Sequence, residues 1–283
     1  KYLDTFINAF SGTVDWTWKS ILFEVPWYIN YFWGLISISL FIWVLEIIFP
    51  WRKEQSVFRK DFWLDGFYMF FNFFIFSIAI SGFYRLIQVG FSDIGITSKS
   101  IAFIDPSNWP MWLQLLVFFI ILDFVQWFTH SLLHKYSFLW KFHKVHHSVK
   151  EMGFAAHLRY HWMEPVIYNS IKYIPLAIIA NYSAQDVAIV YFFTIVIGHL
   201  NHANLGWDYG ILKYIFNNPK MHIWHHAKEL PKGRKNGVNF GITLSIWDYI
   251  FGTSYVPEDS GMIKIGFPGM DNFPKDFVNQ SLH

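Results

Sequence analysis

Five histidines fall between positions 130 and 147, as His130-Ser131-Leu132-Leu133-His134 and then His143-Lys144-Val145-His146-His147. A second H-x-x-H-H follows at His222, His225 and His226. On a helix, positions i and i+4 share a face one turn apart, so His130 and His134 point at one place. In H-x-x-H-H the outer pair is also i, i+4. The adjacent pair diverges by about 100° around the helix and would serve two metals, or one metal and the groups that support it. Imidazole suits Fe, Zn, Cu and Ni. Eight or more histidines with no obvious carboxylate are too many for one tetrahedral zinc and suggest two metals.

Other histidine chemistries fit less well. A zinc protease would carry H-E-x-x-H with its general base, and a serine hydrolase would carry a G-x-S-x-G elbow; neither occurs. A bis-histidine haem protein would use one histidine per facing helix, not clusters. No Gly-rich dinucleotide fingerprint is present, so electrons for any redox step would come from a partner. Two further pairs stand outside the boxes. His199 and His202 are i, i+3, and both are candidate ligands. His157 and His161 are i, i+4, with Arg159 and Glu164 beside them, and are expected to support ligand rings, Glu164 accepting from a ring N–H. Asp123, seven residues before His130 and on roughly the same face, is expected to hold a ligand imidazole.

These clusters must be positioned by a very apolar chain. Of 283 residues, 54% are hydrophobic, 22% aromatic and 15% charged, against about 25% charged in a typical soluble domain. Mean hydropathy is positive, as in a membrane protein. A formal charge of +2 gives no reason to expect nucleic acid. Without cysteine there is no disulfide, thiolate ligand or iron–sulfur cluster. Three stretches read as membrane spans of about 20 residues or more: 29–49, 66–89 and 111–129. The third runs directly into His130. Pro165 to Ala180 and Gln185 to Leu200, joined at 181–184, read as a hairpin that enters the membrane and returns. Residues 1–28 read as an aromatic segment at the membrane interface or packed on the first helix, without the clean apolar core of a cleaved signal peptide.

Lys and Arg concentrate in 51–65, in 130–165 and beyond 203, whereas the loop 90–110 carries only Lys99. The positive-inside bias therefore puts all three histidine boxes on the cytoplasmic side. The expected fold is all-α: an integral membrane helical bundle of about four to five membrane segments, capped by a cytosolic, histidine-rich helical metal site. One domain, 29–283, would contain the boxes at 130–226.

At these residues the sequence resembles the fatty acid hydroxylase/sterol desaturase superfamily of integral membrane diiron enzymes, over about residues 120–256. The family's first box, with its upstream acid, is similar to Asp123 and His130 to His134. Its next box is similar to Trp140 to Ser148. An Arg-x-His-Pro-x-Glu element is similar to Arg159 to Glu164, with Trp162 in place of Pro. A lone-histidine motif resembles His202-Ala203-Asn204, and the third box resembles Pro219 to His226. The closing motifs resemble Asn239-Phe240-Gly241 and Trp247-Asp248 to Thr253. Ser131 stands where the first box commonly has Arg. The resemblance implies O2-dependent hydroxylation or desaturation of an unactivated C–H bond of a lipid, such as a fatty acyl, sterol or ether lipid. It implies two Fe ions, for which Zn can substitute in purified protein, and an external donor, a separate reductase or small electron carrier. The implied ligands are His130, His134, His143, His146, His147, His202, His222, His225 and His226, with His199 as the tenth. Asp123, His161, Asn239 and Asp248 are implied to support them. The alternative is a membrane metal-binding or transport protein without redox turnover. Transport favours ionisable groups deep within several spans, whereas these histidines gather at span ends.

Overall fold

In a bilayer every backbone N–H and C=O must be satisfied within the segment, which favours helices for long apolar runs. The computed structural model describes residues 1–97, 100, 102–178, 184–257 and 263–283. Among them the chain is helical, without a strand, and two isolated bridges join Phe216 to Leu244 and Ala227 to Ile265. An N-terminal helix, α1 (Tyr2–Ile21), precedes α2 (Tyr31–Ile48). Asn30 caps α2, its side-chain oxygen accepting from Trp33 N at 3.2 Å. The next span, Phe62–Asp93, is longer than the expected 66–89 and combines α3 (Phe62–Phe70), a π-helical segment (Phe71–Phe76) and α4 (Ser77–Asp93). Then α5 (Met111–Lys135) carries the first histidine pair in its last turns. These three helical stretches are long and apolar enough to cross a membrane.

The two arms of the expected hairpin are α7 (Met163–Ile178) and α8 (Ala184–His202). The expected turn at 181–183 lies outside the described residues. The backbone of α7 stays helical through position 175, where an interruption at proline was expected. In α8, Ile189–His202 forms a shorter apolar helix. Residues 1–28 are neither loose nor confined to the first span. Phe6 of α1 meets Phe83 of α4 edge-on at 5.1 Å, and Trp16 meets Tyr31 of α2 at 5.6 Å. At Gly34, α2 and α8 approach so closely that a Cβ would overlap the Phe192 ring.

The span ends nearest the histidines are fastened by polar groups. Glu46, near the end of α2, accepts from Phe154 N at 2.9 Å and Asn204 N at 2.7 Å. Asp65, near the start of α3, pairs with both Arg59 and Arg159. Apolar clusters join the same elements: Ile42 with Phe154, Ala203 and Leu205, and Leu35 with Met69, Leu158 and Ile195. The ends of α2, α5 and α8 and the start of α3 therefore meet in one cap. It is completed by the short helices α6 (Ser137–His143), α9 (Pro219–His225), α10 (Ile246–Ile250) and α11 (Phe277–Ser281).

Candidate metal centre

Nine histidines converge in this cap as two groups. His130, His134, His143, His147 and His225 form one, and His146, His202, His222 and His226 the other. Within each group one ring nitrogen from every residue lies within 4.8 Å of the others. All are buried except His134, which is half-buried.

The local backbone explains the sorting. The end of α5 presents His130 and His134 on one face. The chain extends at Tyr136, turns back through α6 to His143, and passes into a 3-10 turn at His146–Ser148. The second box is thus not one continuous α-helix. His143 and His147 reach the first group, while His146 swings to the second. The third box does the reverse. Asn218 caps α9, accepting from Met221 N at 2.9 Å, and Pro219 takes the first helical turn, where no N–H is needed. From this helix His222 and His226 enter the second group and His225 enters the first. The adjacent rings stand nearly perpendicular, 83° for His146 and His147 and 84° for His225 and His226. Each H-x-x-H-H box thereby straddles both groups.

The hydrogen bonds of the rings set which nitrogen is available. His130 Nδ1 donates to Phe240 O at 2.7 Å, His225 Nδ1 to Val238 O at 2.9 Å and His146 Nδ1 to Arg159 O at 3.1 Å. His202 Nδ1 donates to Gly198 O at 2.7 Å, and His143 Nδ1 to Glu164 Oε2 at 2.9 Å. A neutral imidazole that donates through Nδ1 carries its lone pair on Nε2. Those Nε2 atoms face one another: His130 and His143 at 3.0 Å, His146 and His202 at 3.2 Å. His147 Nε2 and His222 Nε2, whose tautomers these bonds do not set, lie 3.1 Å from His225 Nε2 and 2.9 Å from His202 Nε2. Two lone pairs at such range repel unless a cation lies between them. Metal–nitrogen bonds of about 2.0–2.1 Å hold neighbouring ligand nitrogens at about this separation. In addition, His134 Nε2 and both ring nitrogens of His226 are buried without a partner among the described residues. The donor set fits metal ions.

Burial also keeps the rings neutral. It pushes His146 down to about 3, and His143, His147, His222, His225 and His226 well below the usual histidine range, neighbouring histidines adding to the effect. Neutral imidazole is the form that binds a metal.

The supporting residues divide differently from expectation. Asp248 Oδ1 accepts from Trp127 Nε1 at 3.0 Å, Phe240 N at 2.9 Å and Thr253 Oγ1 at 2.6 Å, and Oδ2 accepts from Gly241 N at 2.8 Å. It therefore fixes the loop whose Phe240 carbonyl orients His130. Asn239 sits in the same loop with φ of +55°, a left-handed conformation that asparagine tolerates. Its side chain bonds Met221 O, Tyr255 O and Tyr255 N. Asp123, expected to hold an imidazole, instead accepts from Trp247 Nε1 at 2.9 Å and Leu244 N at 3.3 Å, tying α5 to α10 and the segment before it. His161 turns away from both groups, its Nε2 donating to Ser281 O at 2.9 Å. His199 lies outside both groups, with Nε2 3.2 Å from Ser39 Oγ and Nδ1 2.8 Å from His157 Nδ1. The His157 ring in turn lies 5.1 Å from that of His202. Glu164 serves His143, not the His157 and His161 pair.

Sequence reasoning missed Asn217, whose Nδ2 lies 3.3 Å from His222 Nδ1 and donates to Gly241 O. The Asn217-Asn218-Pro219 run is a helix-start signal that could have flagged it. The supporting carbonyls of Val238, Phe240 and Gly198 leave no side-chain signature.

A cavity of about 340 Å³ opens beside the rings, with His130, His143, His146 and His157 in its wall. The π-helical segment, α4, α7 and α8 supply most of the remainder, with Gln126, Leu158, Tyr160 and Ile242.

Comparison with known proteins agrees with this geometry. The fatty acid hydroxylase family model matches residues 115–253, which hold all nine clustered histidines together with Asp123, Asn239 and Asp248. An ornithine lipid hydroxylase of Rhizobium tropici is 33% identical over 165 residues, 58% of this chain and 48% of that protein. An alkylglycerol monooxygenase of Danio rerio is 29% identical over 252 residues, 85% of this chain and 50% of that protein. A methylsterol monooxygenase of Arabidopsis thaliana is 26% identical over 155 residues, 52% of this chain and 48% of that protein. The chain spans about half the length of these curated relatives. No solved structure matches it significantly. With its histidine boxes inside the matched region, the chain carries a fatty acid hydroxylase domain over residues 115–253.

Proposed function

We propose that the protein is a membrane oxygenase that oxidises a C–H bond of a lipid with O2, using two irons held by the nine clustered histidines. The observation that carries this reading is the facing of lone-pair nitrogens at 3.0 Å and 3.2 Å in two neighbouring groups. The relatives' names, which specify hydroxylation or monooxygenation of ornithine lipid, alkylglycerol and methylsterol, support the reaction class. Iron, when bound, supplies O2 activation and removal of hydrogen from carbon. Hydroxylation balances as RH + O2 + two electrons + two protons giving ROH + H2O. The two electrons come from a separate one-electron carrier or reductase.

This chain's residues do the remaining work. His130, His134, His143, His147 and His225 would hold one iron, and His146, His202, His222 and His226 the other. Glu164, Val238, Phe240, Arg159 and Gly198 aim the rings through their Nδ1–H groups. Asp248 and Asn239 fix the loop behind His130 and His225. The apolar spans deliver a lipid from the bilayer to the cavity, and burial keeps water from competing for it. The basic loops favour a cap on the cytoplasmic side, within reach of a soluble electron carrier.

The test is metal content of anaerobically purified protein, compared with a His143→Ala/His222→Ala variant, followed by lipid turnover with O2 and reductant. About two irons per chain, lost in the variant, is the expected result. One metal or none in the native protein would overturn the two-iron reading.

A further inference from the structure

The cavity beside the rings is more polar than a channel for a methylene chain requires. Two of its lining residues, Asn72 and Glu164, are only 5% and 3% exposed, and each keeps one acceptor oxygen, Asn72 Oδ1 and Glu164 Oε1, without a partner among the described residues. Neither is free to turn away. Asn72 Nδ2 donates to Tyr160 O at 2.8 Å and to Leu158 O at 3.3 Å, which holds the amide with its oxygen unused. Glu164 spends Oε2 on His143 Nδ1 at 2.9 Å, leaving Oε1 next to a ring of the first group. Asn72 belongs to the π-helical segment, a costly geometry that recurs at functional sites. Further along the same wall, Ser77 and Ser81 donate their hydroxyl hydrogens to their own helix, Ser77 to Phe73 O at 2.6 Å and Ser81 to Ile78 O at 2.8 Å. They too present lone pairs.

The two unpartnered buried oxygens of this wall select a donor. Buried acceptors are normally satisfied, and each exception asks for a group that is not yet there. We infer that the cavity takes the polar end of its lipid, with a substrate hydroxyl or N–H donating to Asn72 Oδ1 and Glu164 Oε1. Because Glu164 also touches His143, that donor sits beside the histidine groups. The carbon that reaches them is within a few bonds of the donor and is not a mid-chain methylene. This deepens the lipid oxygenase reading and rests on it for the identity of the reaction. The binding preference itself requires no turnover.

The experiment is isothermal titration of zinc-loaded, detergent-solubilised protein with two matched probe pairs. One pair is 1-O-decylglycerol and its 2,3-di-O-methyl ether. The other is N-decylacetamide and N-methyl-N-decylacetamide. Sites built for a hydrogen bond reject analogues lacking it, so the donor-bearing member of at least one pair should bind about tenfold tighter or more. Which pair discriminates tells whether the donor is a hydroxyl or an N–H. In Glu164→Gln, where Oε1 can keep His143 and an N–H₂ then faces the cavity, the preference should fall to about threefold or less. Asn72→Leu should act in the same direction, and Glu164→Gln keeps the test decisive if the leucine variant does not fold. No preference in either pair overturns the inference. A preference that persists undiminished in Glu164→Gln is steric and overturns it equally. Since binding is measured without iron or O2, neither outcome depends on the turnover assay.

Discussion

Asp248→Asn isolates the support behind His130. The substitution preserves volume and removes one acceptor. Three donors converge on Oδ1, from Trp127, Phe240 and Thr253, while Oδ2 receives only Gly241 N–H at 2.8 Å. The asparagine will therefore place its oxygen at the Oδ1 position and its N–H₂ against Gly241 N–H. One charge-assisted hydrogen bond is lost, about 1.5–3 kcal/mol, and two buried donors are left facing each other, each unsatisfied donor costing about 1–3 kcal/mol. The contributions overlap, so a net loss of about 2–4 kcal/mol in stability is expected. The strain falls on Phe240, whose carbonyl orients His130 through a 2.7 Å hydrogen bond. Loss of such outer support typically lowers metal affinity about 10- to 100-fold. The assay is thermal unfolding of the detergent-solubilised protein, with and without iron, together with a chelator titration of metal content. A variant that melts within about 0.5 kcal/mol of the parent and retains metal equally would refute the argument.

The crossed sorting of the boxes gives a second prediction. His147→Ala/His225→Ala removes two rings from one group and should leave about one metal per chain, whereas His147→Ala/His226→Ala should deplete both, as read by metal analysis. Asp65→Asn leaves Arg59 and Arg159 buried without their shared partner, and a loss of about 3–5 kcal/mol in thermal unfolding is expected. Gly241→Ala should destabilise strongly, because its Cβ would overlap Leu244 O and press on Asp248 Oδ2. Gly12→Ala, in open space on α1, should be stabilising by about 0.5–1 kcal/mol in the same assay.

Much of the cap is written in local spacing. Apolar length alone marks α2, the long second span and α5, since a lipid-embedded backbone has few alternatives to helix. The i, i+4 relation places His130 with His134, His143 with His147 and His222 with His226, and each pair does share a group. The divergence of adjacent histidines also follows from helical rotation, and it holds even though the second box is a helix end followed by a 3-10 turn. What local spacing does not contain is the assignment of each pair to its neighbours. His225 joins His130 and His134 because a loop more than 90 residues beyond them returns Val238 and Phe240 to their side. Glu164 meets His143, Asp123 meets Trp247, and His199 meets Ser39 and His157, all through contacts between elements distant in sequence. Residue type announced that these groups would matter. Only the packing of α5, α8 and α9 against one another decided which lone pairs face each other, because a hydrogen bond or a metal site depends on distances that no single helix sets.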